Sequence, residues 1–170
     1  EMLAERPNVC WGFQTGFSSH DPDTRLSHEQ AADGKELRNP ADPEGWHQFP
    51  ESEGLSFRRA RRIDVWRETQ AIRVEASFQD SAPRRDGGRA ALHEYILRVT
   101  LDPATLVISS LEPEPRVLPF RECPGAMANA RALVGTPMDN IREAVLERLR
   151  GPAGCTHLND ALRALADVPE

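Results

Sequence analysis

Arg62-Ile63-Asp64-Val65-Trp66 and Ile72-Arg73-Val74-Glu75-Ala76-Ser77-Phe78 both alternate apolar with polar residues at period two, and only residues 67–71 lie between them. Period two puts every second side chain on one face, so both stretches read as half-buried strands. A link that short makes them a hairpin. Downstream, Pro83, Arg84-Arg85-Asp86 and Gly87-Gly88 form a loop, and residues 91–101 read as a longer strand. Asp102-Pro103-Ala104-Thr105 turns it, with proline at the favoured second turn position, and residues 106–111 return as a fourth strand. Pro113, Pro115 and Pro119 cannot donate to a central ladder, so any continuation toward Phe120 is an edge or extended segment.

Beyond the strands the period changes. Pro124 opens a helical segment that ends near Val134, where Gly135 can take the left-handed stop and Pro137 bars continuation. Met138, Ile141, Val145 and Leu149 recur at helical spacing until Gly151-Pro152. Leu158, Leu162 and Leu165 mark a third helix with Cys155 or Thr156 as its N-cap. Strands first and helices second predict an α+β domain over residues 56–170. In it, an antiparallel meander of about four strands is covered on one face by three C-terminal helices.

Residues 1–55 read as a long irregular arm, punctuated by Pro7, Gly12, Gly16, Asp21-Pro22-Asp23, Gly34, Asn39-Pro40 and Asp42-Pro43, with a candidate short helix over 26–37. Trp11, Phe13, Phe17, Trp46 and Phe49 are more aromatic residues than a disordered linker carries, so the arm lies on something. That something is its own domain, a second copy, or an upstream domain; a protein partner or homo-oligomer held through residues 1–55 is the expectation. The chain begins at Glu1, which suggests processing or a longer parent.

With 170 residues, 39% hydrophobic and 28% charged, the composition is that of one globular domain with an appendage. No apolar run approaches the roughly 20 residues that span a bilayer, and no charged-then-apolar leader is visible, so a cytoplasmic address without membrane contact is expected. A net charge of -6 and a pI near 5.4 argue against nucleic acid, whose phosphates need a basic face. Twenty of the 21 basic residues are Arg, a bias that a GC-rich genome explains as readily as carboxylate recognition. Cys10, Cys123 and Cys155 are an odd number, which favours free thiols or metal ligands over a disulfide framework.

Gly151-Pro-Ala-Gly-Cys155-Thr-His157-Leu-Asn-Asp160 carries most of the chemistry, because it sets a thiol, an imidazole and a carboxylate at a helix start. Unpaired N–H groups there favour thiolate over thiol, making Cys155 a candidate nucleophile or ligand. In the third strand, alternation puts His93 and Tyr95 on one side and Glu94 on the other, at a polar end where a sheet can open into a pocket. His93 or His157 would act as base, Tyr95 would stand beside them, and Asp160 or Glu94 would orient the imidazole. Arg58-Arg59 and Arg61-Arg62 could grip an anion, with Arg61, Arg62 and Glu94 the candidate substrate contacts; a solvated strand entry reads the same way. Cys123 also precedes a helix, so Cys123, Cys155, His157 and His93 could close a tetrahedral zinc site, although no paired Cys-x-x-Cys spacing is present. Buried, inert cysteines and simple caps are the bland counterparts of each. No Gly-x-Gly-x-x-Gly, phosphate-binding loop, Gly-x-Ser-x-Gly or His-Glu-x-x-His pattern appears.

Arg61-Arg62-Ile63-Asp64-Val65-Trp66, Phe78-Gln79-Asp80, Leu92-His93-Glu94-Tyr95, Cys123-Pro124 and Gly154-Cys155-Thr156-His157-Leu158, in that order, resemble the bacterial domain-of-unknown-function 2889 family over roughly residues 57–168. Trp46-His47 with Pro50 resembles the linker before this domain in actinobacterial members. The resemblance implies polar signature positions at Asp80, His93, Cys123, Cys155 and His157, and no particular reaction or cofactor. Three functions therefore stand as expectations. The first is an enzyme or enzyme subunit acting on a small acidic or acyl-type metabolite through a Cys/His site. The second is a non-catalytic accessory or assembly subunit, and the third a structural zinc-binding domain.

Overall fold

The alternating hairpin becomes β1 (Arg58–Arg67) and β2 (Ile72–Pro83), closed by a hydrogen bond from the Glu68 N–H to the Ala71 carbonyl. β3 (Arg89–Leu101) and β4 (Ile108–Val117) complete a four-stranded antiparallel sheet in the order β1-β2-β3-β4. The structure is a computed structural model that describes residues 7–21, 23–24, 32–34, 36–38, 41, 44, 54 and 56–168. Strand β4 runs straight through Pro113 and Pro115, which pair with Leu97 and Tyr95. It is the edge strand, where a missing N–H costs no ladder bond.

One face of the sheet is apolar. Val74, Ala76 and Phe78 of β2 and Tyr95, Leu97, Val99 and Leu101 of β3 are buried on it, each row directly opposite the next. Three helical segments cover this face. The first, Cys123–Leu133, is a 3-10 helix for its whole length, the helical segment expected from Pro124 to near Val134. With about three residues per turn, Met127, Ala130 and Leu133 fall into one buried stripe, and small alanines let the tighter coil approach the sheet. The second, α1 (Ile141–Arg148), buries Ile141, Ala144 and Val145, and the third, α2 (Thr156–Ala164), buries Leu158, Ala161 and Leu162. No helix among the described residues is long and apolar enough to cross a membrane.

The arm's first part lies on its own domain. The Trp11 N–H donates to the Gly154 carbonyl at 2.7 Å, Phe13 meets Phe120 edge-on at 5.5 Å, and Ser18 Oγ donates to Glu122 at 2.6 Å. Two glycines make this possible: a Cβ on Gly12 would stand 2.5 Å from the Cys123 sulfur, and one on Gly125 would overlap the Trp11 ring. Farther along, Asp33 bridges to Ala90 and the Gly34 N–H donates to the Arg89 carbonyl, at the start of β3 where β4 no longer reaches. Ala32-Asp33-Gly34 is therefore extended, not helical; the rest of the candidate helix over 26–37 lies largely outside the described residues, as do Trp46, His47, Phe49 and Pro50.

Candidate functional site

The apolar face ends in a polar row. Register places Arg59 of β1 opposite Asp80 of β2, and Asp80 opposite His93 of β3. A shift in register follows at once between Asp80 and Ser81, a bulge that twists the strands and re-aims the side chains at this corner. Asp80 is fully buried and takes two bonds from Arg59, Nε to Oδ1 and Nη2 to Oδ2, both 2.7 Å. A bidentate guanidinium is what allows a carboxylate to remain ionised without water.

Helix α2 closes the row from above. From its first turn, His157 stacks on His93 with ring centres 3.5 Å apart and planes 17° from parallel, and its Nε2 stands 3.6 Å from Asp80 Oδ2. His93 Nδ1 lies 4.0 Å from the same oxygen and is buried without a hydrogen-bond partner. Burial, reinforced by His157 and the Arg59 charge, lowers the His93 pKa to about 3. Burial lowers His157 as well, against the opposing pull of Asp80. Both rings are thus neutral and keep lone pairs at physiological pH. One turn on, Asp160 accepts from Arg59 Nη1 at 2.9 Å, from Arg61 and from Arg163. Three guanidiniums meet two carboxylates, so the rim carries one surplus positive charge in an acidic protein.

The thiols occupy the neighbouring territory. Tyr95, one row from His93 on the same face, is fully buried and its hydroxyl lies 3.2 Å from Cys155 Sγ. Cys10, Cys123 and Cys155 are all free and buried. Burial pushes the Cys123 thiol up to about 12. Burial and the neighbouring Cys155 raise Cys10 too, although the N–H groups of Phe13, Gly12 and Thr156 favour its thiolate. The Tyr95 hydroxyl is raised far above its ordinary value, first by burial and then by Cys155. Cys10, Cys123 and Tyr95 thus hold their protons, whereas the two imidazoles are kept without an extra one.

The family described as "Protein of unknown function (DUF2889)" matches residues 57–169. The chain belongs to this family. No curated protein and no solved structure matches it. Within the DUF2889 domain lie all five signature positions expected from the resemblance, and the fold divides them: Asp80, His93 and His157 come together, with ligand atoms within 4.8 Å of one another, and none of the three sulfurs is in that group. Among the described residues neither imidazole is bonded to a cysteine. Arg61 and Asp160 pair with each other beside this group, and Asp160 accepts from guanidiniums rather than from an imidazole.

Two expected contacts lie elsewhere. Arg62 pairs with Asp64 and reaches the Leu37 carbonyl, and Glu94 is buried beside Gln79 at 2.9 Å, both on the other face of the sheet. The reason is strand alternation: neighbours of Arg61 and His93 must point away from them. Arg59, one of the four arginines read as an anion grip, instead holds Asp80, a pairing not assigned at the level of sequence. Extending the hairpin register from Arg67 opposite Ile72 outward leads to Arg59 opposite Asp80, a signal the alternating pattern already contained.

Proposed function

We propose that this DUF2889 domain is an enzyme, or the reactive part of one, acting on a small acidic or acyl-type metabolite at the Asp80–His93–His157 row. The observation that carries this reading is the stacked, neutral imidazole pair over a fully buried, arginine-held carboxylate. A structural core does not need two desolvated histidines whose free nitrogens face one oxygen. An active site does, because unprotonated nitrogen is what activates water or accepts a substrate proton. The surplus guanidinium charge from Arg59, Arg61 and Arg163 supports an anionic group on the substrate. The reading does not lean on Cys155, whose sulfur faces a tyrosine hydroxyl in an apolar setting.

The test is a panel of small mono- and dicarboxylates and their acyl esters and thioesters, scored for thermal stabilisation and turnover. At least one carboxylate should raise the melting temperature, and Arg61→Ala should weaken that binding about 10-fold or more. For any ester turned over, His157→Ala should lower kcat by roughly 10²–10⁴-fold with the fold retained. Carboxylate binding that ignores Arg61→Ala, or turnover that ignores His157→Ala, sinks the reading.

A further inference from the structure

From Asp80 Oδ2, His157 Nε2 is 3.6 Å and His93 Nδ1 4.0 Å away, and one ligand atom from each of the three residues lies within 4.8 Å of the other two. An ion bound at roughly 2.0–2.2 Å sets its ligands about 3–3.5 Å apart, so the two nitrogens are within a small side-chain rotation of ligating distance to that oxygen's partner ion. We infer that Asp80, His93 and His157 together bind one divalent first-row transition ion such as zinc.

Three observations support this set. His93 Nδ1 is buried and unpartnered, the condition of a ligand atom awaiting an electrophile. Two nitrogens and one carboxylate oxygen suit zinc or iron(II) and not calcium or magnesium, which take oxygen cages. Three protein ligands also leave coordination positions open, as catalytic centres do and structural zinc sites do not. Arg59 already contacts each Asp80 oxygen once, but a carboxylate has about four acceptor sites, so Oδ2 retains room for an ion. Parallel rings aim their lone pairs side by side, so binding opens the stack. His157, the more exposed ring on the first turn of α2, is the one free to turn. The guanidinium surplus opposes a bare dication and favours one accompanied by an anion, which fits an ion working on an anionic substrate.

This inference rests on the row being the reactive centre; the imidazole lone pairs would hold the ion, and the ion as a Lewis acid would supply the activation of water. The full chain, stripped with EDTA, would be titrated with zinc and cobalt(II) salts by calorimetry and visible absorption. One ion per chain is expected. His157→Gln should weaken binding by more than the roughly 10–100-fold that loss of an outer-shell partner costs. Asp80→Asn should do the same, but it also breaks a buried ion pair, so the partly exposed His157 position decides. No stoichiometric uptake, or unchanged affinity in His157→Gln, overturns the assignment. An intense sulfur-to-cobalt charge-transfer band overturns it too, by giving the ion to the cysteines. Turnover that persists unchanged in the stripped protein removes the ion and leaves the enzyme reading standing; one-to-one uptake by a chain that binds no carboxylate does the reverse.

Discussion

Two clusters sit one sheet row apart, the half-buried Arg59–Asp80–His93 row beneath His157 and the buried Tyr95–Cys155 pair with Cys10 and Cys123. Both are rich in reactive residue types, and both are at least partly desolvated. Desolvation removes charge in each, yet the consequence is opposite: a neutral imidazole exposes a lone pair, whereas a neutral thiol or phenol covers one with a proton. The first cluster also contains a carboxylate gripped by a guanidinium, and the second contains no such pair. The proposed chemistry is accordingly assigned to the histidine row rather than to the thiols.

The contrast can be broken most severely at Asp80. Asp80→Ala strands Arg59 and removes the oxygen that both imidazoles face, and should cost about 3–5 kcal/mol in urea unfolding, discounted toward the lower end because Arg59 is partly exposed. A cost under about 1 kcal/mol would mean that the row is not held by that pair.

Thiol chemistry sharpens the comparison next. At pH 8 a thiol raised from 9.0 to about 12 has roughly 1,000-fold less thiolate, so Cys123 in the native protein should alkylate about that much more slowly than in the urea-unfolded chain. Rapid native labelling would erase the distinction between the clusters. The same shift has a stability consequence with a definite sign. Below pH 9 the thiol is protonated in both states; between 9 and about 12 the unfolded chain ionises while the folded one does not, so this contribution is lost as pH rises through that window.

Gly125→Ala should separate the clusters physically. Its methyl group displaces the Trp11 ring, costing about 1–3 kcal/mol, and should speed alkylation of Cys10 and Cys123 while leaving cobalt binding at the histidine row unchanged. Mass mapping of the labelled cysteines reads the outcome; loss of both properties together would show one cluster, not two. The smallest effect is expected from Tyr95→Phe, about 1 kcal/mol for one buried hydrogen bond, again without effect on cobalt binding.

Much of this is legible in the amino-acid sequence. Alternation in residues 62–66 and 72–78 predicted the hairpin, and alternation in β3 placed His93 with Tyr95 and away from Glu94. Helical spacing placed Leu158 and Leu162 on the buried side of α2, which turns His157 and Asp160 toward the rim. Less visible was the partner each group would take. Cys155 and His157 stand two apart in sequence, yet one meets Tyr95 and the other His93 and Asp80, because the chain enters α2 between two rows of the sheet. Arg61 and Arg62 looked equivalent in the basic run, but a strand sends neighbours to opposite faces.

By itself, then, the amino-acid sequence determined the elements, their order and the face on which each residue stands, since period and turn chemistry are local properties that act over a few residues. Only the tertiary structure decided that Asp80, separated from His157 by most of the domain, completes its cluster, that the thiols do not, and that residues 7–21 of the arm roof them. Register bulges, the 3-10 coil of Cys123–Leu133 and the docking of Trp11 against Gly125 set those contacts. Each depends on how separate elements pack, a long-range balance of shape and desolvation that no local pattern encodes.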